Sequence, residues 1–100
     1  MTPEQQRIAI AEACGWYDLV KQDVSLFGKH EPESQKTFEL DVPDYLNDLN
    51  AMHEAEFYQR RQSELWWKSY SAALYHAYGV GAPAKYRAEI FLRTLNLWTP

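Results

Sequence analysis

The segment DVPDYLNDLNAMHEAE, residues 41–56, carries the clearest helical pattern in the chain. From Asp44 onward, apolar residues recur at helical spacing, and both Asp44 and Asp48 are available as the N-terminal cap. The apolar positions are Tyr45, Leu46, Leu49, Met52, Ala55 and Phe57. The pattern therefore predicts an amphipathic helix that begins near Asp44 and ends near Arg60.

The chain before this segment begins with a second helical signal. Thr2 is a capping residue, Pro3 suits the first helical position, and Gln5 has the spacing that closes a capping box. A small apolar stripe includes Ile8 and Ala11, with neighbouring alanines. We expect a helix from Pro3 to Cys14, followed by a turn at Gly15.

The period of the pattern changes between Trp16 and Asp41. Apolar residues alternate with polar ones at Tyr17 and Leu19, at Val24 and Leu26, and within KTFEL, residues 36–40. This alternation predicts two or three short strands. The intervening GKHEPESQ, residues 28–35, is rich in Gly, Pro and polar side chains, so we expect it to be a mobile loop.

Two further helices are predicted after residue 62. A cap at Ser63 precedes an apolar stripe that ends at the Gly79–Gly81 break, and Pro83 opens the last helix. The stripes comprise Leu65, Trp66, Tyr70, Ala73, Leu74 and Tyr78 in the third helix, and Tyr86, Ile90, Phe91 and Leu95 in the fourth. The order predicts one α+β domain over residues 1–100, in which a helix and a short antiparallel sheet precede three helices packed on that sheet.

Composition favours a folded protein that stays in the cytoplasm. Of its 100 residues 46% are apolar and 24% charged, which is typical of a globular domain with one core. The chain has no apolar run of the ~18 residues that span a bilayer, and residues 1–7 do not resemble a secretion signal. The lone Cys14 excludes an internal disulfide, and we expect it to serve as a small packing residue.

Charge is distributed unevenly along the chain. Residues 1–56 hold 12 acidic and 4 basic residues, a net −8, whereas residues 57–100 hold 2 acidic and 6 basic residues, a net +4. The second part also holds 10 of the 15 aromatic residues. The basic, aromatic residues 57–100 suggest a local anionic partner more than general nucleic-acid binding. The alternative is that the charges of the two halves neutralise each other across the fold.

Three segments resemble the phage ABA sandwich domain family, a group of small proteins of tailed phages and prophages. They are RIAIAEACGW (7–16), DVPDYLNDLNAMHEAE (41–56) and YRAEIFLRTLNLW (86–98), in that order. The resemblance implies strands layered with helices, and it brings no catalytic motif with it. Residues 17–40 and 56–79 depart from the family pattern, so a function particular to this chain would be built there.

The candidate chemical groups favour a structural interpretation. Asn50, His53, Glu54 and Glu56 cluster on the second helix, and His53 lies three residues from Glu56, which suits a hydrogen-bond network better than a metal site. The serines lack a nucleophile elbow, and Cys14 lies within a helix rather than at an activating N-terminus. We therefore expect no catalytic residue, no metal and no cofactor.

Basic and aromatic residues of the C-terminal half form the candidate binding set. Its members are Arg60, Arg61, Trp66, Trp67, Lys68, Lys85, Arg87, Arg93 and Trp98. Adjacent tryptophans on a helix point about 100° apart, so a single core-facing stripe buries one more easily than both. Because Tyr70 and Leu74 continue the face of Trp66, we expect Trp66 to be buried and Trp67 to be an exposed binding ring. The alternative is that both rings line the core or a homodimer seam.

The function expected from this combination is non-enzymatic binding by a phage accessory protein. Its most concrete form is inhibition of a bacterial anti-phage defence system through a host protein, with no membrane contact. One alternative is a sponge that captures a nucleotide signal between aromatic rings and arginines. Another is a homo-oligomeric structural or regulatory phage protein.

Overall fold

In the computed structural model, which describes residues 1–30, 40–79 and 81–100, one helix precedes a three-stranded sheet and three further helices. The elements are α1 (Pro3–Ala13), β1 (Trp16–Gln22), β2 (Ser25–His30), β3 (Leu40–Asp41), α2 (Leu49–Gln62), α3 (Glu64–Tyr78) and α4 (Ala84–Thr94). This is the α+β order that the sequence predicts. No helix in the described part of the chain is both long and apolar enough to cross a membrane.

Helix α1 begins with the predicted capping box. The Thr2 hydroxyl accepts a hydrogen bond from the backbone N–H of Gln5 at 3.1 Å, and the Gln5 side chain accepts one from the Thr2 N–H at 2.8 Å. The helix ends at Ala13, and Gly15 follows with φ +91°, a conformation that only glycine adopts without strain. Both predicted ends are therefore correct to within one residue.

The three strands pair in the order β1-β2-β3, and both pairings are antiparallel. A bulge interrupts the β1–β2 register after Tyr17, where Asp18 has φ +52°. Gly28 lies opposite the bulge, and a side chain there would meet Leu19 and Trp16. Val24, which the alternation placed in a strand, lies instead in the turn between β1 and β2 and is 94% exposed.

Part of the predicted loop and third strand cannot be compared with the structure. Of residues 28–35, the first three belong to β2, and residues 31–35 lie outside the described residues. Of the predicted strand at 36–40, Leu40 belongs to β3, and residues 36–39 lie outside the described residues. The same applies to Val80 in the predicted Gly79–Gly81 break.

Helix α2 begins five residues later than the onset predicted at Asp44. Asp48 is the cap, and its carboxylate accepts hydrogen bonds from the N–H groups of Asn50 and Ala51 at 3.0 and 3.3 Å. Tyr45 and Leu46 lie in the preceding turn rather than in the helix, because Asp48 rather than Asp44 satisfies the first free backbone donors.

A single residue, Ser63, separates α2 from α3. Its backbone N–H donates to the carbonyl of Gln59 at 2.9 Å, which closes α2. Its hydroxyl accepts from the N–H of Trp66 at 3.1 Å, which caps α3. Ser63 adopts an extended conformation, so the chain turns a sharp corner between two capped helices.

The core lies among the four helices. Its largest fully buried side chains include Ile10, Met52, Tyr70, Phe91 and Leu92. Five residues that the spacing assigned to apolar stripes are exposed: Leu49 at 43%, Phe57 at 57%, Leu65 at 76%, Tyr78 at 42%, and Ala73. The buried positions of α2 are Ala51, Met52, Ala55, Glu56 and Gln59, which place residue 57 on the opposite side of the helix.

Candidate binding site

A buried polar cluster connects α2, α3 and α4. The carboxylate of Glu56 accepts hydrogen bonds from the Tyr70 hydroxyl and from Arg87 Nη1, the latter at 2.9 Å. Its other oxygen accepts from Nδ1 of the half-exposed His53 at 2.7 Å. Arg87 Nε donates in turn to the carbonyl of Ala82 at 2.9 Å. Three side chains, one from each of three helices, thus donate to one carboxylate.

Burial governs the acid–base properties of the groups in the core. Desolvation, reinforced by the negative charge of Glu56, raises the pKa of the Tyr70 hydroxyl above its usual value. Desolvation likewise raises the pKa of the Cys14 thiol to about 12, against an opposing hydrogen bond with Gln59. Both groups are therefore protonated at neutral pH, and the expected packing role of Cys14 agrees with its burial.

Beside this cluster a cavity of about 260 Å³ opens along one flank of α3. Trp67, Ser71 and Tyr75 follow one another at four-residue steps, so the small serine leaves a gap between two aromatic rings. The remaining lining residues are Tyr70, Leu74, Gly79 and Arg87. We refer to this cavity as the aromatic notch.

The two adjacent tryptophans differ in burial, although less than expected. Trp66 is 9% exposed, and its ring stacks on Tyr70 at 4.7 Å between centroids and meets the edge of Phe91 at 5.2 Å. Trp67 is half-buried rather than exposed, because its ring packs against the core and the Arg60 guanidinium lies 5.0 Å from its centre. Trp66 Nε1 is buried without a hydrogen-bond partner among the described residues.

The other predicted binding residues do not converge on one surface. Arg61 lies over Tyr58, Lys85 over Tyr86, and Arg93 over Trp98, with cation–ring distances of 6.0, 5.0 and 4.8 Å. Lys68 is exposed on α3. Of the nine candidates only Trp67 and Arg87 line the aromatic notch, and Arg87 is bonded to Glu56.

The side of α3 that faces solvent forms a second surface. Leu65, Ser69, Ala72 and His76 are all exposed and recur at spacings of four, three and four residues, which places them on one stripe. We call this stripe the outer face of α3. The sequence has no Asp, Glu, Lys or Arg from Ser69 to Ala84. The outer face is therefore uncharged beyond the first turns of the helix.

The predicted contact between His53 and Glu56 is present, but the sequence analysis missed that Glu56 is buried. It lies four residues after Met52 and three before Gln59, so it occupies the buried side of α2. A carboxylate on an apolar stripe indicates a buried cationic or hydroxyl partner elsewhere in the chain. The position of Glu56 on the apolar stripe could therefore have been recognised from the sequence. The residues that pair with it on other helices could not.

A larger groove of about 350 Å³ lies between the start of α1, the β1–β2 turn and the turn before α2. The ion pair between Lys21 and Glu4, at 2.6 Å, belongs to its lining. Arg7, Asp23 and Asp44 add charges of both signs, a mixture that favours no one class of ligand. In the described part of the chain, no three His, Cys, Asp or Glu side chains group as metal ligands would.

Comparisons of the chain with protein-family models, with curated proteins and with solved structures give no match.

Proposed function

We propose that this chain is a phage or prophage accessory protein that acts by binding a host protein, most concretely as an inhibitor of a bacterial anti-phage defence system. The proposed place of action is the host cytoplasm. The observation that carries the proposal is the outer face of α3, whose exposed side chains include no Asp, Glu, Lys or Arg, as at the centres of protein interfaces. Such centres are depleted of charge relative to the rest of a protein surface.

The apolar content of this part of the molecule supports docking of a protein. Leu65 is 76% exposed on the outer face, and Tyr75, farther along α3, is 69% exposed. Phe57, on α2, is 57% exposed. Leu65 and Tyr75 thus leave two large apolar side chains of α3 available to a docking partner.

The charges around α3 indicate that the partner surface is acidic. Both acidic residues of the C-terminal half are paired, Glu64 with Arg60 and Glu89 with Arg93. Among the described residues, Arg61, Lys68 and Lys85 have no carboxylate partner. They lie in sequence before, on and after α3, and they are the surplus of positive charge in this half that an acidic partner surface would complement.

The buried cluster supports binding rather than catalysis. Glu56 already accepts bonds from three side chains, and Tyr70 and Cys14 are held in their protonated forms by burial. Buried groups that are fully hydrogen-bonded or protonated hold helices together. A general base or nucleophile must instead be accessible to substrate and have a pKa near the working pH.

The test combines infection with identification of the partner. Bacteria carrying individual defence systems would express the wild-type chain, a Leu65→Asp variant or a Val24→Asp control, in which an exposed apolar residue of the β1–β2 turn is changed. We expect the wild-type chain and the control to restore phage plating on one of these strains. Leu65→Asp should lose the effect, because a carboxylate at the interface centre repels an acidic partner surface.

Native mass spectrometry of the purified chain completes the test. The expected result is a component of the same defence system, retained by the wild-type chain and released by Leu65→Asp and by added salt. Equal plating by all three chains on every strain would overturn the proposal. A mass corresponding only to two copies of the chain would instead support the homo-oligomeric alternative.

A further inference from the structure

We propose that the aromatic notch is a ligand site for the base of a purine nucleoside. The notch lies on a different flank of α3 from the outer face, although Tyr75 borders both, and this inference does not rest on the protein-binding function. It follows from the shape of the cavity, from the rings on either side of it and from the neutral pair at its edge.

The shape of the notch suits a flat ring system. Trp67 and Tyr75 lie eight residues apart, about 12 Å along the helix axis, with Ser71 midway between them. Serine is too small to fill the gap between two such aromatic side chains, and Leu74 supplies apolar lining. A planar heteroaromatic ring would stack on one of the two rings, the exposed Tyr75, and gain contact area from the leucine.

The size of the notch limits the ligand. Its volume of about 260 Å³ is below the range of ~300–1,000 Å³ that is usual for sites holding drug-sized molecules. One base with its sugar fits this volume better than a dinucleotide does. A purine offers more stacking area than a pyrimidine, so we expect purine nucleosides to be preferred.

The electrostatics of the notch favour the base over a phosphate. Arg87 is the basic residue among the lining side chains, and its guanidinium is paired with Glu56 at 2.9 Å, where the two side chains are 13% and 4% exposed. A phosphate placed here would meet a neutralised arginine and a nearby carboxylate. Recognition therefore depends on the heteroaromatic ring of the base, and phosphate groups of the ligand add little to the binding free energy.

The test measures binding of four probes to the full chain by isothermal calorimetry and saturation-transfer NMR. The probes are adenosine, guanosine, uridine and ribose 5-phosphate. We expect both purine nucleosides to bind, uridine to bind several-fold more weakly, and ribose 5-phosphate to give no signal. A lack of adenosine binding up to about 10 mM, an affinity weaker than any useful site, would overturn the proposal, as would equal binding of ribose 5-phosphate.

Variants locate the binding in the notch. Ser71→Met fills the gap with a flexible side chain and should weaken adenosine binding by at least about tenfold, the order of the loss of one stacking contact. Ala72→Met, the matched control on the outer face, should bind as the wild type does. Unchanged affinity in Ser71→Met would refute the assignment.

A second variant keeps the test decisive if Ser71→Met does not fold. Tyr75→Ala removes one ring whose side chain is 69% exposed, so the fold should tolerate it. It should lower adenosine affinity at least about fivefold, because the exposed stacking ring is lost, and retention of full affinity would count against the notch. Leu65→Asp should bind adenosine normally, which separates this site from the centre of the proposed protein interface.

Discussion

Glu56 of α2 and Arg87 of α4 form an ion pair of 2.9 Å whose members are 31 residues apart in sequence and almost completely excluded from solvent. The carboxylate also accepts a hydrogen bond from the Tyr70 hydroxyl, so the Glu56 side chain links three of the four helices. Pairs of this kind add little net stability when complete, but they are costly to break, because the remaining charge stays buried.

Removal of either partner alone should therefore be far more damaging than removal of both. Arg87→Met should lower the free energy of unfolding by about 3–5 kcal/mol, and the double variant with Glu56→Gln should recover much of that loss. Urea denaturation of the two single variants and the double variant measures the coupling. Arg93→Met, which breaks the exposed pair with Glu89, is the matched control and should cost less than about 1 kcal/mol.

The contact between His53 and Glu56 should be weaker. His53→Ala leaves Glu56 with its two other partners, and the histidine side chain is 42% exposed, so we expect a loss of about 1 kcal/mol in stability. Thermal melting checks this, with His76→Ala on the outer face of α3 as the control. Stoichiometric zinc in the purified wild-type protein, lost in His53→Ala, would contradict a structural role.

The adjacent tryptophans should respond differently to truncation. Trp66→Ala empties a site between Tyr70 and Phe91 and should cost about 3–5 kcal/mol. Trp67→Ala removes a half-buried ring and should cost less, about 1–2 kcal/mol. Trp66→Phe should cost less than Trp66→Ala, because it keeps a ring and removes the unpaired Nε1 donor. Equal melting of the two alanine variants would show that both rings belong to the core.

Alkaline pH should destabilise the protein. The folded-state pKa of Cys14 is raised to about 12 from 9.0, so the unfolded chain releases this proton first and stability falls as pH rises above about 9. Above about 10 the fall should steepen as Tyr45 and Tyr70, whose pKa values burial also raises, begin to ionise in the unfolded chain. Urea midpoints measured between pH 7 and about 11 test this, and Cys14→Ala should delay the onset by about one pH unit.

The sequence predicted the elements better than it predicted which faces are buried. Repeating apolar residues and capping signals identified all four helices, because both are local properties of the chain. Leu65 and Phe57 were misplaced because helical spacing defines several neighbouring stripes, and only packing against other elements decides which one is covered. Glu56 illustrates the same limit, since its burial depends on Arg87 of a different helix.

The candidate site was also predicted only in part from the sequence. The sequence identified the aromatic and basic composition of the C-terminal half, and it placed Trp66 correctly in the core. It did not predict that Arg60 would cover part of Trp67, or that the basic residues would separate into individual pairs with rings. These contacts depend on the angle between helices, which a periodic pattern does not specify.

Ser63 serves as the C-terminal cap of α2 and the N-terminal cap of α3, which leaves the two helices without a flexible joint. Bending at Ser63 would break both caps together, so we expect α2 and α3 to move as one rigid unit. Insertions at this corner should consequently be poorly tolerated, even though it lies at the surface where insertions are ordinarily accepted. A partner that docks on α3 therefore meets a surface whose position relative to α2 is already set before contact.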